Sequence, residues 1–235
     1  MYEIDKVFYL VKSNGIADGS HKGMLFIFPP DLTFNVTCQF KNQILFFSDS
    51  DQAESRLYDV KKRVWRDSSV KSRHPKHSFA VEHLDKVWMI GGLKRDGLGA
   101  TNRIEVYNPV ADTQYPSHVK LIQARCHHRA VSYRGKLFVF GGHNEAEGAL
   151  NTVEVLLPNA NSFVMATPMP RARACFGCCR AGNLVYVIGG SDGRVSTRSV
   201  MVYDLDRDAW SEAADFPCDT HMSHTCALTS IFQDV

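Results

Sequence analysis

Three pairs of adjacent glycines recur along this sequence at nearly constant spacing. The pairs are Gly91–Gly92, Gly141–Gly142 and Gly189–Gly190, and their first members lie 50 and 48 residues apart. Each pair directly follows a short apolar run of the kind that forms a buried β-strand. A period near fifty residues indicates repeated structural units, each of which needs its neighbours in order to bury its apolar faces.

The last complete unit, residues 173–216, shows what one repeat contains. Turn residues separate four apolar or β-branched runs, which is the pattern of four short antiparallel strands. The runs are Ala174–Cys179, Leu184–Ile188, Val200–Tyr203 and a final run anchored by Trp210. In three units an aromatic residue follows the end of the third strand by seven positions; these are Trp65 after Tyr58, Phe163 after Leu156 and Trp210 after Tyr203. In the remaining unit the same place is occupied by Gln114, with Tyr115 next to it.

These features together resemble the Kelch repeat, which forms one blade of a β-propeller. The resemblance implies an all-β fold, a Kelch-type β-propeller of about five four-stranded blades in a single domain over residues 1–235. The first two blades are degenerate, because Lys12–Ser13 and Ser48–Asp49 stand where the other blades have a glycine pair. The predicted blades cover residues 5–36 together with 221–228, then 37–67, 75–116, 125–167 and 173–216.

The two ends of the sequence predict how the propeller closes. The first repeat lacks its inner strand, and the C-terminal residues 221–228 resemble an inner strand without the other three. Because a closed propeller leaves no exposed sheet edge, we expect this C-terminal strand to complete the first blade. The alternative is a six-bladed relative cut short within its last blade. Phe34 is expected to be the distal aromatic residue of the first repeat, and the polar residues 68–77 are expected to form a loop between blades.

Composition and charge exclude several classes of protein. The formal net charge of +2 predicts no nucleic-acid partner, and no apolar run approaches the length of a membrane span. The N-terminus lacks the basic and then apolar layout of a signal peptide. The seven cysteines are an odd number in irregular spacing, which suits a reducing compartment. We therefore expect a cytoplasmic protein with neither a nucleic-acid nor a membrane partner.

The cysteines and histidines are candidates for a metal site, but their spacing favours a structural role. Cys175 and Cys178 have one Cys-x-x-Cys spacing, and the sequence contains no second pair of this kind. Counted back from the glycine pairs, Cys178 occupies the place of Ala80 and Ala130, where crowded inner strands require a small residue. No histidines have helical metal-ligand spacing, and no hydrolase or kinase signature is present. The sequence predicts no catalytic residue, metal or cofactor.

Basic residues just before the inner strands form a candidate partner-binding site. Arg125 and Arg173 each precede their glycine pair by sixteen residues, and His221 falls at the matching place. In a propeller these inter-blade loops converge on one face around the central channel, where arginine and histidine could bind carboxylates of an acidic peptide. The alternative is that the arginines bind backbone carbonyls between blades. The predicted partner-binding set is Arg73, His77, Arg125, His127, Arg171, Arg173 and His221.

The resemblance to Kelch proteins also implies a function. It implies a protein that recognises other proteins and is not an enzyme. Members of the family are frequently the substrate-recognition half of BTB–Kelch proteins, which hold a target for a cullin-based ubiquitin ligase. These 235 residues contain no BTB domain, so the cullin machinery would be reached only through a domain absent from this sequence. Two alternatives are a cytoskeletal scaffold that binds actin and, with less support, a metal-dependent propeller oxidase.

Overall fold

Every described element of regular secondary structure in this protein is a β-strand. A computed structural model describes residues 7–11, 23–27, 34–48, 54–71, 75–94 and 96–215. Within these residues, four sheets each contain four antiparallel strands, and two further pairs of strands each form a two-stranded sheet. The described part of the chain contains no helix that is long and apolar enough to cross a membrane.

The strands follow one another in chain order, beginning with an antiparallel hairpin of β1 (Val7–Val11) and β2 (Gly23–Ile27). Blade I consists of β3 (Phe34–Phe40), β4 (Gln43–Ser48), β5 (Glu54–Asp59) and β6 (Val64–Lys71). Blade II consists of β7 (Phe79–His83), β8 (Lys86–Ile90), β9 (Ile104–Asn108) and β10 (Thr113–Pro116). In both blades each strand pairs with the next one along the chain.

The third and fourth blades repeat this plan. Blade III consists of β11 (Arg129–Tyr133), β12 (Lys136–Phe140), a short ribbon of β13 (His143–Asn144) and β14 (Gly148–Ala149), then β15 (Val153–Leu156) and β16 (Phe163–Ala166). Blade IV consists of β17 (Gly177–Ala181), β18 (Leu184–Ile188), β19 (Val200–Asp204) and β20 (Ala209–Ala213). The first strands contact one another in sequence, β3 with β7, β7 with β11 and β11 with β17, so they line a common axis. This arrangement confirms the predicted all-β propeller.

Among the described residues the apolar core forms three clusters, each between two consecutive blades. Phe47 of blade I packs with Met89 and Tyr107 of blade II. The next cluster joins blade II to blade III, and the third places Phe140 of blade III against Tyr203 of blade IV. Because each blade buries its faces only against its neighbours, the repeat period of the sequence follows directly from the packing.

Each glycine pair lies directly after the second strand of its blade, and the first two pairs approach the loop that leads into the next blade. Gly91 and Gly141 have φ values of 55° and 51°, in the left-handed region that favours glycine. A Cβ atom at Gly91 would lie 2.4 Å from the carbonyl oxygen of Arg125, and one at Gly141 would lie 2.6 Å from that of Arg173. Gly92 and Gly142, the second glycines of these two pairs, each donate their N–H to the same carbonyl at 2.8 Å. The glycines therefore make room for the inter-blade loop and hold it.

The strand registers confirm the predicted alignment of the repeats. Tyr58 pairs with Trp65, Leu156 with Phe163, Tyr203 with Trp210 and Tyr107 with Gln114, all between third and fourth strands. Ala80, Ala130 and Cys178 likewise pair with the residue two positions before a glycine pair, as predicted.

Some predicted boundaries are wrong. Phe34 is not the distal aromatic residue of the first repeat, because it lies in β3 and pairs with Ser48. The predicted loop at 68–77 begins too early, because β6 continues to Lys71 after an irregularity in its pairing with β5. The inner strand of blade IV starts at Gly177 rather than at Ala174, which instead forms an isolated bridge with Ser191.

The first predicted blade is described only in part. The hairpin of β1 and β2 falls within predicted repeat 5–36, with Val7 opposite Ile27. The closing residues 221–228 lie outside the described residues. Closure by the C-terminal strand, a total of five blades and a single domain over 1–235 therefore stay predictions.

Candidate partner-binding face

Two kinds of loop meet at one end of the blades. The loops after β8, β12 and β18 begin at the glycine pairs, and backbone hydrogen bonds join them to the loops that precede the inner strands. Leu93 donates its N–H to the carbonyl of Lys76 at 2.6 Å, and Cys126 and His143 exchange hydrogen bonds at 3.0 and 2.9 Å. We call this surface the loop face; it comprises residues 75–78, 91–94, 96–103, 117–128, 141–152, 167–176 and 189–199.

Equivalent left-handed residues link three successive blades at the start of their inner strands. His77, His127 and Cys175 have φ values of 56°, 54° and 56°. The N–H of His127 donates to the carbonyl of His77 at 3.2 Å, and that of Cys175 donates to the carbonyl of His127 at 3.0 Å. The rings of His77 and His127 lie with centroids 4.2 Å apart, tilted by 34°. The structure thus brings these two predicted residues into direct contact.

Arg125, the most prominent basic residue of the predicted set, is buried in the joint between blades. Its guanidinium has no exposed surface and forms an ion pair with Glu154 at 2.5 Å. It also donates to the carbonyl of Gly141 at 2.7 Å and to Oγ1 of Thr152 at 3.1 Å. A side chain in this position cannot reach a partner, so we leave Arg125 out of the candidate surface. The alternative role, binding backbone carbonyls between blades, describes its contacts.

Glu154 is a structural residue that reasoning from the sequence missed. Its carboxylate accepts the N–H groups of Ile122 and Gln123 at 2.7 and 3.0 Å in addition to the Arg125 guanidinium. These bonds satisfy a buried charge and fix the loop between blades II and III. The signal for it was an acidic residue in the middle of the otherwise apolar third strand, Val153–Leu156.

Arg173 occupies the same place in blade IV but has a different environment. It is 4% exposed and donates to Oγ of Ser199 at 2.6 Å. Met201 stands where blade III has Glu154, as the strand pairings show. Burial lowers the pKa of Arg173, the nearby Arg171 lowers it further, and Asp192 opposes both effects.

The other predicted residues do not join the histidine pair. Arg171 is exposed and forms an ion pair with Glu212 of β20 at 2.6 Å. Arg73 and His221 lie outside the described residues. Of the predicted set, the structure therefore brings together His77 and His127 and places Arg171 at the edge of blade IV.

Basic groups surround His127. Burial, followed by His77, Arg129 and His143 in that order of importance, lowers the pKa of His127 to about 4. The Arg129 guanidinium lies 5.3 Å from the centroid of the Phe79 ring and donates to the carbonyl of His128 at 2.9 Å. The mouth of the propeller axis is thus electropositive near β7 and β11.

Exposed aliphatic side chains on the same face were also missed from the sequence. Leu98 is 74% exposed, Val195 is 67% exposed and Ile122 is 49% exposed. Each lies in a polar or glycine-containing loop, where the strand pattern that dominates the sequence carries no information. The loops that bear two of them are held in place, because Glu145 accepts the N–H of Ala100 at 2.9 Å and Glu154 holds the backbone of Ile122.

The described residues offer no built metal site. They contain no group of three or more histidine, cysteine, aspartate or glutamate side chains that could hold a metal ion. Cys178 packs against the core between blades III and IV, and Cys179 is buried. These positions agree with the structural role predicted for the Cys-x-x-Cys segment.

Comparisons with known proteins give the same fold and identify the repeat. Kelch-like protein 7 of Rattus norvegicus is 30% identical over 116 residues, which cover 48% of this chain and 20% of the relative. Kelch-like protein 23 of Homo sapiens is 23% identical over 169 residues, which cover 70% of this chain and 30% of the relative. The chain thus spans less than a third of the length of these relatives. The solved structure of YjhT matches 80% of this chain and 67% of its own at a TM-score of 0.70 and 13% identity, which shows a shared fold.

The family is established by a match over most of the sequence. Residues 36–232 match the family model described as the KLHDC2/KLHL20/DRC7 Kelch-repeats domain. This match begins in blade I and includes blades II, III and IV with their glycine pairs. Together with the propeller arrangement of the blades, it confirms the resemblance seen in the sequence: the chain belongs to the KLHDC2/KLHL20/DRC7 Kelch-repeats domain family.

Proposed function

We propose that this protein is a non-enzymatic binding module that recognises a partner protein through the loop face. The observation that carries the proposal is the set of exposed aliphatic side chains Leu98, Ile122 and Val195 on loops of a single face. Aliphatic groups held in water on firmly anchored loops are typical of interaction surfaces. Polar and charged groups around them would supply the rim of the interface.

The hydrogen bonding of the loops supports this proposal. Glu145 reaches from the loop of blade III to the N–H of Ala100 in the loop of blade II. Gln123 donates to the carboxylate of Glu147 at 3.0 and 3.2 Å, which ties an inter-blade loop to the same loop of blade III. A surface that is already ordered loses less conformational entropy when a partner binds.

We further propose that the partner is a substrate presented to a cullin-based ubiquitin ligase. Membership of the Kelch family and the likeness to several Kelch-like proteins support this role. The chain matches only 20% of the length of Kelch-like protein 7, so a ligase-recruiting domain would belong to sequence outside these residues. The positive groups around His127 favour an acidic peptide segment in the partner. We also propose that the protein acts in the cytoplasm, since its seven cysteines, an odd number in irregular spacing, suit a reducing compartment.

The experiment is a comparison of two double variants in affinity capture from cell extract. Leu98→Ser with Val195→Ser removes exposed aliphatic groups from the loop face. The matched control, Leu84→Ser with Val110→Ser, removes similarly exposed groups from turns at the opposite end of blade II. We expect captured partner proteins to be lost only in the first variant. Equal recovery in both variants would refute the role of the loop face.

The ligase role is tested on the captured proteins themselves. A substrate should gain ubiquitin and lose abundance in a manner that depends on cullin activity, and proteasome inhibition should restore it. Recovery of actin with no change in its ubiquitination would instead support the cytoskeletal alternative.

A further inference from the structure

The two histidine rings in contact at the mouth of the axis are an unusual pair. His77 is exposed and His127 is partly buried, so one edge of the pair is open to solvent. Both backbones are left-handed, and the hydrogen bond from the N–H of His127 to the carbonyl of His77 fixes their spacing. The pair is therefore held by the backbone of two adjacent blades, and not by the rings alone.

The groups that act on this pair are mostly basic. Arg129 of β11 and His143 of β13 both lower the pKa of His127, and Cys175 follows at the equivalent position of blade IV. Glu145 is an acidic group that interacts with His143. Its carboxylate accepts the N–H of Ala100, so it is already bound to the neighbouring loop.

We propose that the His77–His127 pair is a carboxylate-binding site, at which an aspartate or glutamate side chain of the partner binds together with a proton. The inference rests on the proposed function, because it names the chemical group that the loop face would recognise. Two imidazolium rings 4.2 Å apart repel each other, and Arg129 adds to that repulsion. A carboxylate at the open edge compensates the positive charge of the protonated rings. Binding of the carboxylate therefore favours binding of the proton, and binding of the proton favours binding of the carboxylate.

The coupling gives the affinity a defined dependence on pH. The pKa of His127 in the free protein is lowered to about 4, so the ring is neutral at physiological pH. If the bound carboxylate returns it to the ordinary histidine value of about 6.5, binding takes up a proton and tightens as the pH falls. The expected gain is about threefold or more between about pH 7.5 and about pH 6.

The test uses succinate as the probe and the protein as it exists. Histidine ring resonances are followed by NMR while succinate is added, and His77→Asn and His127→Asn variants assign the two signals. Asparagine is chosen because it tolerates the left-handed backbone and does not titrate. Succinamide, which has the same length and no charge, is the matched control ligand. His118, an exposed histidine of the chain, reports any general effect of salt.

We expect succinate to raise the apparent pKa of the His127 ring and to bind about threefold more tightly near pH 6 than near pH 7.5. Loss of these effects in both asparagine variants would support the site. An affinity independent of pH, an equal effect of succinamide, an equal shift of His118, or no shift up to the solubility limit of succinate would each overturn it.

The two proposals can fail separately. If the asparagine variants retain partners that the Leu98→Ser and Val195→Ser variant loses, the loop face binds the partner without the histidine pair, and this inference is wrong while the proposed function stands. If succinate binds as expected but no loop-face variant changes partner recovery, the carboxylate site exists and the proposed function is wrong.

Discussion

His128 provides the sharpest test of how the blades are joined. It is 1% exposed, and neither ring nitrogen has a hydrogen-bond partner among the described residues. Its Cε1 atom would lie 2.9 Å from a Cβ at Gly91, so the ring fills the space beside the glycine of the preceding blade. Phe176 is its counterpart in the next blade and packs in the same way against Gly141. We therefore predict that His128→Phe stabilises the protein.

The size of the effect follows from these contacts. Each buried polar atom without a partner costs about 1–3 kcal/mol, and the larger phenyl ring costs about 1–3 kcal/mol if the site relaxes poorly. We expect a net gain of about 1 kcal/mol in the free energy of unfolding near neutral pH. The match of Phe176 to the same site in the next blade indicates that the larger ring fits.

The same substitution should change the pH dependence of stability. Burial, followed by the charges of Arg125, Arg129 and His127, holds the pKa of His128 well below its usual value. Below about pH 6.5 His128 therefore binds a proton in the unfolded chain but stays neutral in the folded chain. The free energy of unfolding consequently falls as the pH falls through that value. Near pH 5.5 the loss from this one group is about 1.4 kcal/mol, and His128→Phe should abolish it.

The measurement is urea-induced unfolding followed by tryptophan fluorescence, at about pH 7.5 and about pH 5.5. The advantage of His128→Phe over the parent protein should be about 1.4 kcal/mol larger at the lower pH. His118→Phe, which alters an exposed histidine, is the control and should show no such difference. An equal advantage at both pH values would refute the argument that His128 is neutral and unpartnered in the folded protein.

Three further predictions concern the joints between blades. Glu154→Gln leaves a buried arginine without its counter-charge and should lower the free energy of unfolding by about 3–5 kcal/mol in urea, whereas a loss below about 1 kcal/mol would contradict the buried ion pair. Gly141→Ala should destabilise the protein more than Gly148→Ala, because its Cβ would lie 2.6 Å from a carbonyl oxygen, whereas a Cβ at Gly148 meets nothing within 4 Å. The backbone strain at Gly148 alone should cost about 1–2 kcal/mol, and equal losses in the two variants would contradict the close approach at Gly141. If the C-terminal strand closes the predicted blade of residues 5–36, a chain ending at Asp219 should show a lower melting temperature or aggregate. An unchanged melting temperature would favour the truncated six-bladed alternative.

The blades could be predicted from the sequence because their determinants are local. A glycine pair after an apolar strand indicates a close approach of the backbone to the neighbouring loop, since any side chain at Gly141 would overlap the carbonyl of Arg173. The boundaries were less certain where pairing irregularities extend a strand, as in β6, whose end depends on its register with β5 rather than on its own residues.

The binding residues were harder to predict because burial depends on partners from distant strands. Arg125 and Arg173 have the same spacing in the sequence, yet Arg125 is bound by Glu154, whereas Met201 stands at that place beside Arg173. Arg173 is nevertheless buried and donates to Ser199, so neither arginine offers its side chain to a partner. An acidic residue at the second position of the third strand, as at Glu154, is the feature that distinguishes an arginine held by a buried ion pair from one without it.

The histidine pair depends on a backbone conformation for which the sequence has no signal. Left-handed residues are most often glycine, with asparagine, aspartate and histidine next, and the three linked positions here are His77, His127 and Cys175. Inter-blade hydrogen bonds hold that conformation, since the N–H of His127 and that of Cys175 each reach the carbonyl of the preceding blade. The side chains at these positions are consequently free to vary without loss of the joint. This freedom makes the ring of left-handed residues a place where a propeller of this kind can acquire a new ligand preference through single substitutions.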